Sequence, residues 1–510
     1  MKAAGVLLVG ADMERHERND GTMPPMVGPA GRELRASEET ELSKSAVSRG
    51  PRLNSDVDVL VVAWCPHEPE RVGEVTVIAP GEPRILGRGD GEQRARFFRV
   101  RPGPIEPQAP FASPTLSRLQ AEVWLEAGGM RVRRLGRGKM RSNGHACEEA
   151  LLQPGDTLGF GQSLLLLYVR RAASLPALRH FDRARVGPFG APDAFGWVGE
   201  SPAAWALRER LAFAAKSNAH VLIAGESGTG KELAARAIRM LSSRPEAPFV
   251  ARNAATLPAG LIDAELFGNV KNYPNPGMVD RPGIIGEAHQ GFLFLDEIGE
   301  MPSELQAHLL RVLDSGGEYQ RLGETVTKRS QFRLIAATNR APSDLKDDFL
   351  ARLTVRVDVP ALSERREDIP SLIHHLVERA AKKSPNIAER FLVRRAGGGA
   401  AARVDASFVE TLVRREFALN TRDLEGLLWE AMAESDGDTI VWRCDGPAVA
   451  SASTQRGRRR SKTRNPTLDA ATIREALAHA DGSVALAAKD LKLTDRHALY
   501  RRMKKLGVSS

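Results

Sequence analysis

Apolar residues fall into three rhythms along the chain. Between 55 and 171, short β-branched and aliphatic runs at 57–63, 74–78, 97–100, 121–125, 130–134 and 164–169 alternate with Gly/Pro turns, which predicts a small all-β sandwich. From 195 to 360, strand-like runs at 221–224, 292–295 and 333–337 alternate with helical stretches, the pattern of an α/β domain on a parallel sheet. Residues 361–445 read as helical, broken by a flexible Gly/Ala tract at 396–402, and a last helical unit occupies 468–510. The intervening segments lack an apolar period. Residues 1–54 read as a disordered lead-in, 172–194 as a Pro/Gly/Ala-rich linker and 446–467 as a basic linker. The chain is thus expected to be multidomain: a β-sandwich, an α/β domain with a helical lid, and an all-α C-terminal unit.

Composition narrows the setting. The longest aliphatic run, at 163–169, is far short of the roughly 20 apolar residues of a membrane span. The apolar stretch at 3–11 has no small-residue cleavage site after it, so no signal peptide is expected. Three scattered cysteines fit a reducing cytoplasm better than a disulfide framework. The net charge is +9, and residues 451–510 alone carry 14 Lys/Arg against 5 Asp/Glu. Everything before them is formally neutral. The pooled positive charge suggests a polyanion partner, most simply DNA; a solubilising tail is the blander alternative.

The α/β segment carries the chemistry. The run at 221–224 leads straight into Gly225-Glu226-Ser227-Gly228-Thr229-Gly230-Lys231-Glu232 and then a helical stretch. Glycines let successive backbone N–H groups turn inward around a phosphate, and the helix N-terminus adds positive potential. Lys231 can reach the β- and γ-phosphates. Glu232 stands where the general pattern has Ser or Thr for magnesium. A second run, 292–295, ends in Asp296-Glu297. A carboxylate there suits Mg2+, so Asp296 is the candidate metal residue and Glu297 the candidate base for an attacking water.

GESGTGKE, LFLDEIGE at 293–300, LQAHLLRVLD at 305–314, AATNR at 336–340 and ERREDIP at 364–370 together resemble the AAA+ domain of bacterial enhancer-binding proteins, the ATPase activators of sigma-54 RNA polymerase. The resemblance covers roughly 195–435, and Glu at position 232 is normal within it. It implies Mg-ATP hydrolysis by a homo-oligomeric ring. It makes Asn253 the switch partner of Glu297, Thr338 and Asn339 the sensor I pair, and Arg422 the sensor II arginine. It also makes Arg352 one of two arginines reaching a neighbour's nucleotide. Lys346 holds the other position, keeping the charge and losing the planar fork. The family's Gly-Ala-Phe-Thr-Gly-Ala loop, whose Phe and Thr touch sigma-54, is replaced by Asn272-Tyr273-Pro274-Asn275-Pro276-Gly277. Tyr273 is the aromatic left there, and two prolines stiffen the loop.

At the C-terminus, Thr494 can cap a third helix over 495–506 on which Leu499, Met503 and Leu506 share a face, opposite His497, Arg501 and Lys504. The segment is similar to a Fis-type helix-turn-helix, with Thr494, Arg496, His497, Tyr500, Arg501, Lys504 and Lys505 as candidate DNA contacts. Near the N-terminus, Ile85-Leu86-Gly87-Arg88, Ser117–Ala121 around Gln120, and Asn143-Gly144 look like a forkhead-associated domain, a β-sandwich that reads phosphothreonine. Arg88 and Ser117 match its phosphate contacts. Gln120 replaces its usual His, and Gly138 an expected Asn. The expectation is a DNA-binding, ATP-hydrolysing transcriptional regulator controlled by a phosphothreonine-containing protein or kinase. Two rivals stay open: a DNA-binding regulator or repressor that does not remodel sigma-54, and a phosphopeptide-binding scaffold with vestigial ATPase.

Overall fold

A computed structural model describes residues 56–442 apart from 104, 257–260, 302 and 395–399. The candidate DNA contacts from Thr494 to Lys505 lie outside the described residues.

Twelve short strands open the fold: β1 (Asp56–Trp64), β2 (Val75–Val77), β3 (Arg84–Leu86), β4 (Phe98–Val100), β5 (Ile105–Pro107), β6 (Ala121–Glu126), β7 (Gly129–Arg134), β8 (Met140–Ser142), β9 (His145–Cys147), β10 (Glu149–Leu152), β11 (Thr157–Phe160) and β12 (Leu164–Ala172). They make two antiparallel sheets, ordered β5-β4-β2-β1-β12-β11-β8-β9 and β10-β7-β6-β3. Leu60, Val62, Leu164 and Leu166 from the larger sheet meet Leu86, Val123, Met130 and Val132 from the smaller in one core. The long strands β1 and β12 are buried on both faces over most of their length, because their other face is covered by the rest of the molecule. This explains why they read as continuous rather than alternating runs.

The 172–194 segment is packed against helix α1 (Pro202–Lys216): Glu209 accepts the backbone N–H groups of Arg179, His180 and Phe181. Phe181 joins the core beneath α1. Asp193 and Arg208 then form a fully buried ion pair at 2.8 Å, with Arg208 also donating to the carbonyls of Gly199 and Trp197.

The α/β unit is a five-stranded, all-parallel sheet ordered β14-β15-β18-β13-β19, where β13 is Val221–Ala224, β14 Phe249–Asn253, β15 Phe292–Asp296, β18 Arg333–Thr338 and β19 Val355–Asp358. A two-strand hairpin, β16 (Glu318–Tyr319) with β17 (Lys328–Arg329), lies outside it. Helices α2 (Lys231–Leu241), α3 (Ile262–Phe267), α4 (Gly283–Glu287), α5 (Ser303–Asp314) and α6 (Asp347–Arg352) complete the unit. The central strands β13, β15 and β18 are buried on both faces, which is why they read as largely apolar runs; β14 and β19 are edges, mixed in character.

The lid comprises α7 (Ile369–Lys383), α8 (Pro385–Ala388), α9 (Ala406–Arg414) and α10 (Thr421–Glu434). It is not helical throughout. Leu392–Arg394 (β20) pairs antiparallel with Ala400–Ala402 (β21), so the end of the tract expected to be flexible is a strand. Its small alanines allow the close approach: Ala401 and Ala402 are buried and Ala402 N–H donates to His374 Nδ1.

Replacing Asp193 by Ala leaves the Arg208 guanidinium buried without its counter-charge. The expected loss is about 3–5 kcal/mol of unfolding free energy, measurable by denaturant titration of the full chain.

Candidate nucleotide site

The loop 225–230 owes its shape to backbone freedom at two glycines, Gly228 at φ +76° and Gly230 at φ +104°, both in the left-handed region. Gly230 is the residue before α2, and the following Lys231 is buried at the helix start. Lys231 Nζ folds back to donate to the carbonyls of Gly225 (2.9 Å) and Glu226 (3.0 Å). Burial pushes the Lys231 pKa below its ordinary value, against the pull of Asp296 and Glu297. Glu232 points outward and pairs with Arg236 one turn on.

Parallel register places Asn253 beside Asp296, at the ends of β14 and β15. Asn253 Nδ2 donates to Glu297 Oε2 at 3.1 Å, and Glu297 N–H donates to Asp296 Oδ1 at 2.9 Å. Glu297 has φ +53°, an uncommon conformation for a residue with a side chain and one that concentrates at functional sites. Thr338 is fully buried at the end of β18, its carbonyl accepting Gly225 N–H and its hydroxyl accepting Arg340 N–H. Asn339 is exposed just beyond it and does not line the cavity described below.

The lid closes the loop from above. Asn420 donates to Ser227 O and to Glu226 Oε2, both at 3.0 Å. Thr421 donates to Gly228 O through its backbone N–H (3.3 Å) and its hydroxyl. Arg422 reaches Ser227 Oγ at 3.4 Å.

Between loop and lid lies a cavity of about 390 Å³. Ser227, Gly228, Thr229, Gly230, Lys231, Glu232, Asp296, Glu297 and Arg422 line one end. The rest of the lining comes from residues outside the sequence motifs: Trp197, Val198, Arg365, Leu372, His375, Leu376 and Arg379. Trp197 lies against Gly230, with the Arg365 guanidinium 4.9 Å from its ring centroid. Burial, with the nearby Arg379 charge, lowers the His375 pKa and favours its neutral form. Backbone N–H groups and cations beside Trp197, Val198, Leu372 and Leu376 suit a phosphorylated, ring-bearing ligand.

Arg352 lies on the surface, paired with Asp314 of its own chain, and Lys346 is exposed at the start of α6. Among the described residues no cluster of three or more His, Cys, Asp or Glu could cage a metal by protein ligands alone. Asp296 beside a phosphate pocket still fits magnesium, which is held through one or two carboxylates plus substrate phosphates.

The loop 272–277 is held by its own hydrogen bonds and by the neighbouring hairpin. Asn272 Oδ1 accepts Gly277 N–H, Asn272 N–H donates to Met278 O, and Val270 N–H donates to Leu322 O. The Tyr273 ring lies over Gly323, where any side chain would collide with it. Arg321 bridges the two loops through Asp280 (2.9 Å) and Glu324 (2.6 Å). Tyr273, Val279 and Val326 are the large apolar residues left exposed on these loops.

In the two-sheet domain, Arg88 N–H donates to Ser117 O. Arg88 Nε is buried without a hydrogen-bond partner. Gln120 is buried; its Oε1 accepts Ser117 N–H, and its backbone carbonyl accepts the N–H of Leu135 and Gly136. It ties together the loops that carry Ser117 and Gly136.

A glycine loop at the end of a parallel strand, a carboxylate pair at the end of the next strand but one and a helical lid define a P-loop nucleotide-binding domain. Residues 197–362 match the family described as Sigma-54 interaction domain, an AAA+ ATPase module. The chain is 38% identical over 255 residues to the Nif-specific regulatory protein of Bradyrhizobium diazoefficiens, a match covering 49% of this chain and 41% of that protein. It is 35% identical to the transcriptional regulatory protein ZraR of Escherichia coli over 60% of this chain and 68% of ZraR. It is equally similar, at 35%, to the DNA-binding transcriptional regulator NtrC of Escherichia coli, over 61% of this chain and 70% of NtrC. NtrX from Brucella abortus in complex with ADP aligns at 31% identity over 62% of this chain and 70% of that one, with a TM-score of 0.44. The chain belongs to the family of sigma-54-dependent transcriptional regulators. Among the described residues, no helix is long and apolar enough to cross a membrane.

Gly228→Ala tests the loop–lid fit. The new Cβ would sit 1.9 Å from Leu419 O at a positive φ. The left-handed conformation alone costs about 1–2 kcal/mol, so titration with a fluorescent nucleotide should show affinity reduced by about tenfold or more.

Proposed function

We propose that this protein is an ATP-hydrolysing, DNA-binding transcriptional regulator of the sigma-54 activator type, controlled through its two-sheet domain by a phosphothreonine-bearing partner. The observation that carries the proposal is the Lys231, Asp296, Glu297 and Asn253 constellation under the lid, inside a segment matching the Sigma-54 interaction domain. The backbone N–H groups of 227–231 and Lys231 would hold the phosphates, with the base at the Trp197/Val198/Leu376 end. Asp296 would hold magnesium, which neutralises developing phosphate charge when bound. Glu297 would accept a proton from the attacking water, and Asn253, donating to its carboxylate at 3.1 Å, would set that carboxylate's position. Arg352 can leave its exposed partner Asp314 for a neighbouring subunit's nucleotide, since water screens such a pair. DNA binding by 468–510 is supported by the Lys/Arg excess of that segment and by the similarity to NtrC of Escherichia coli, a DNA-binding transcriptional regulator.

Phosphothreonine recognition is supported by the junction of the Arg88 and Ser117 loops, with Gln120 in place of the family's His bracing the Ser117 loop. Sigma-54 would meet the Tyr273/Val279/Val326 tip in place of a Phe-Thr pair. A second function, DNA-binding regulation without sigma-54 remodelling, is favoured by one feature: Pro274 and Asn275 stand where the family has Phe and Thr, in a loop pinned to its neighbour.

Glu297→Gln keeps the shape and removes the base. Phosphate release by the full chain should fall by roughly 10²–10⁴-fold with nucleotide binding retained; turnover near the wild-type rate would contradict the assignment. Arg88→Ala should abolish retention of the full chain on phosphothreonine peptide arrays, whereas equal retention would refute the phosphate role.

A further inference from the structure

The two-sheet domain touches both halves of the ATPase. On the α/β side, Trp205 of α1 is buried against Val59, Val61, Val75 and Val100. Arg101 pairs with Glu200 at 3.0 Å, and Trp205 Nε1 donates to the same carboxylate. On the lid side the contact is larger and more polar. Ala63, Trp64, Leu165 and Leu167 share one core with Ile373, Val377, Phe408 and Leu412. Trp64 stacks on His374 of α7 with ring centroids 4.4 Å apart. Glu410 of α9, 2% exposed, accepts Thr157 Oγ1 at 2.7 Å and Gly144 N–H at 2.8 Å, with Arg141 alongside. Gln162 Oε1 accepts Ala406 N–H, and Arg414 donates to Asn143 O.

A buried carboxylate is tolerated only where its partners are fixed, because an unpaired charge in a dry interface is strongly unfavourable. Glu410 therefore locks α9 to the β8–β9 turn in one register. The same lid carries Asn420 and Thr421 on the carbonyls of Ser227 and Gly228. On α7, His374 faces the two-sheet domain while its neighbour His375 lines the nucleotide cavity. The chain itself joins the α/β unit to the lid through a single stretch after β19. The two-sheet domain supplies a second, non-covalent connection, anchored on α1 at one end and on α7 and α9 at the other.

We infer that the two-sheet domain is a strap across the hinge, holding the lid down on the glycine loop and slowing nucleotide exchange until it is loosened. A ligand of the Arg88/Ser117 loops would then act on the ATPase through the strap, by biasing one lid position. The effect on exchange rests on the nucleotide-binding function proposed above; the strap itself does not.

Two measurements on the full chain separate these. Hydrogen exchange is compared between the wild type and Glu410→Ala, and with the milder pair Gln162→Ala/Arg414→Ala at exposed positions. The strap predicts several-fold faster exchange at 226–230 and 419–424, which neither variant touches. Faster exchange confined to 143–157 and 406–414, with the glycine loop unchanged, overturns it. Release of a fluorescent ADP analogue should also be several-fold faster in both variants. Equal release rates from folded variants overturn the strap's role in exchange. An analogue that fails to bind the wild type would overturn the nucleotide-binding function instead, and hydrogen exchange would still decide the strap.

Discussion

The site depends on how the loop 225–230 disposes of its carbonyl groups. A loop that turns its N–H groups inward for phosphate must turn several carbonyls outward, and buried carbonyls need donors. Here the donors are Lys231 for Gly225 and Glu226, Asn420 for Ser227, and Thr421 for Gly228. Two of these residues belong to the lid, nearly 200 positions away in sequence. The loop's shape and the lid's position are therefore one constraint, and Gly228 sits at its tightest point, where no side chain fits beneath Leu419.

From that contact the remaining architecture follows outward. Asp368, at the start of α7, accepts the N–H groups of Glu200 and Ser201 and the Ser201 hydroxyl, so the strand-to-lid passage also fixes the segment that carries Trp197 and Val198. Burial raises the Asp368 pKa, opposed by Arg365, whose guanidinium lies over Trp197. Glu200 in turn holds Arg101 and Trp205, joining the two-sheet domain to the same segment. Loop, lid and β domain are thus each tied to their neighbours by buried and half-buried polar contacts.

Legibility in the sequence followed burial and chain proximity. β13, β15 and β18 are buried on both faces and stood out as apolar runs, and the Lys231 and Asp296/Glu297 motifs are local. The edge strands β14 and β19, with Arg252 and Arg356 among their few residues, gave no run. The three-residue strands β8 and β9 were too short for an alternation to show. The far end of the cavity was illegible because Trp197, Arg365 and His375 are brought together only by the lid; an aromatic before Gly-Glu-Ser and the arginine in the ERRED run were the available signals. Nothing local marks Glu410 as a buried interdomain carboxylate, since its partners Thr157 and Gly144 lie some 250 positions upstream.

In the proposed function sigma-54 is met by the loop after Phe267, which in this chain is built around Tyr273 and held by Arg321 and Gly323. The most direct test of the account is whether the 195–445 segment, loaded with an ADP–metal-fluoride transition-state analogue, retains sigma-54 on a native gel. A stable complex is the predicted result, with Tyr273 supplying the aromatic contact. Free sigma-54 beside an assembled, ATP-hydrolysing segment would contradict it and assign the protein to regulation without sigma-54 remodelling.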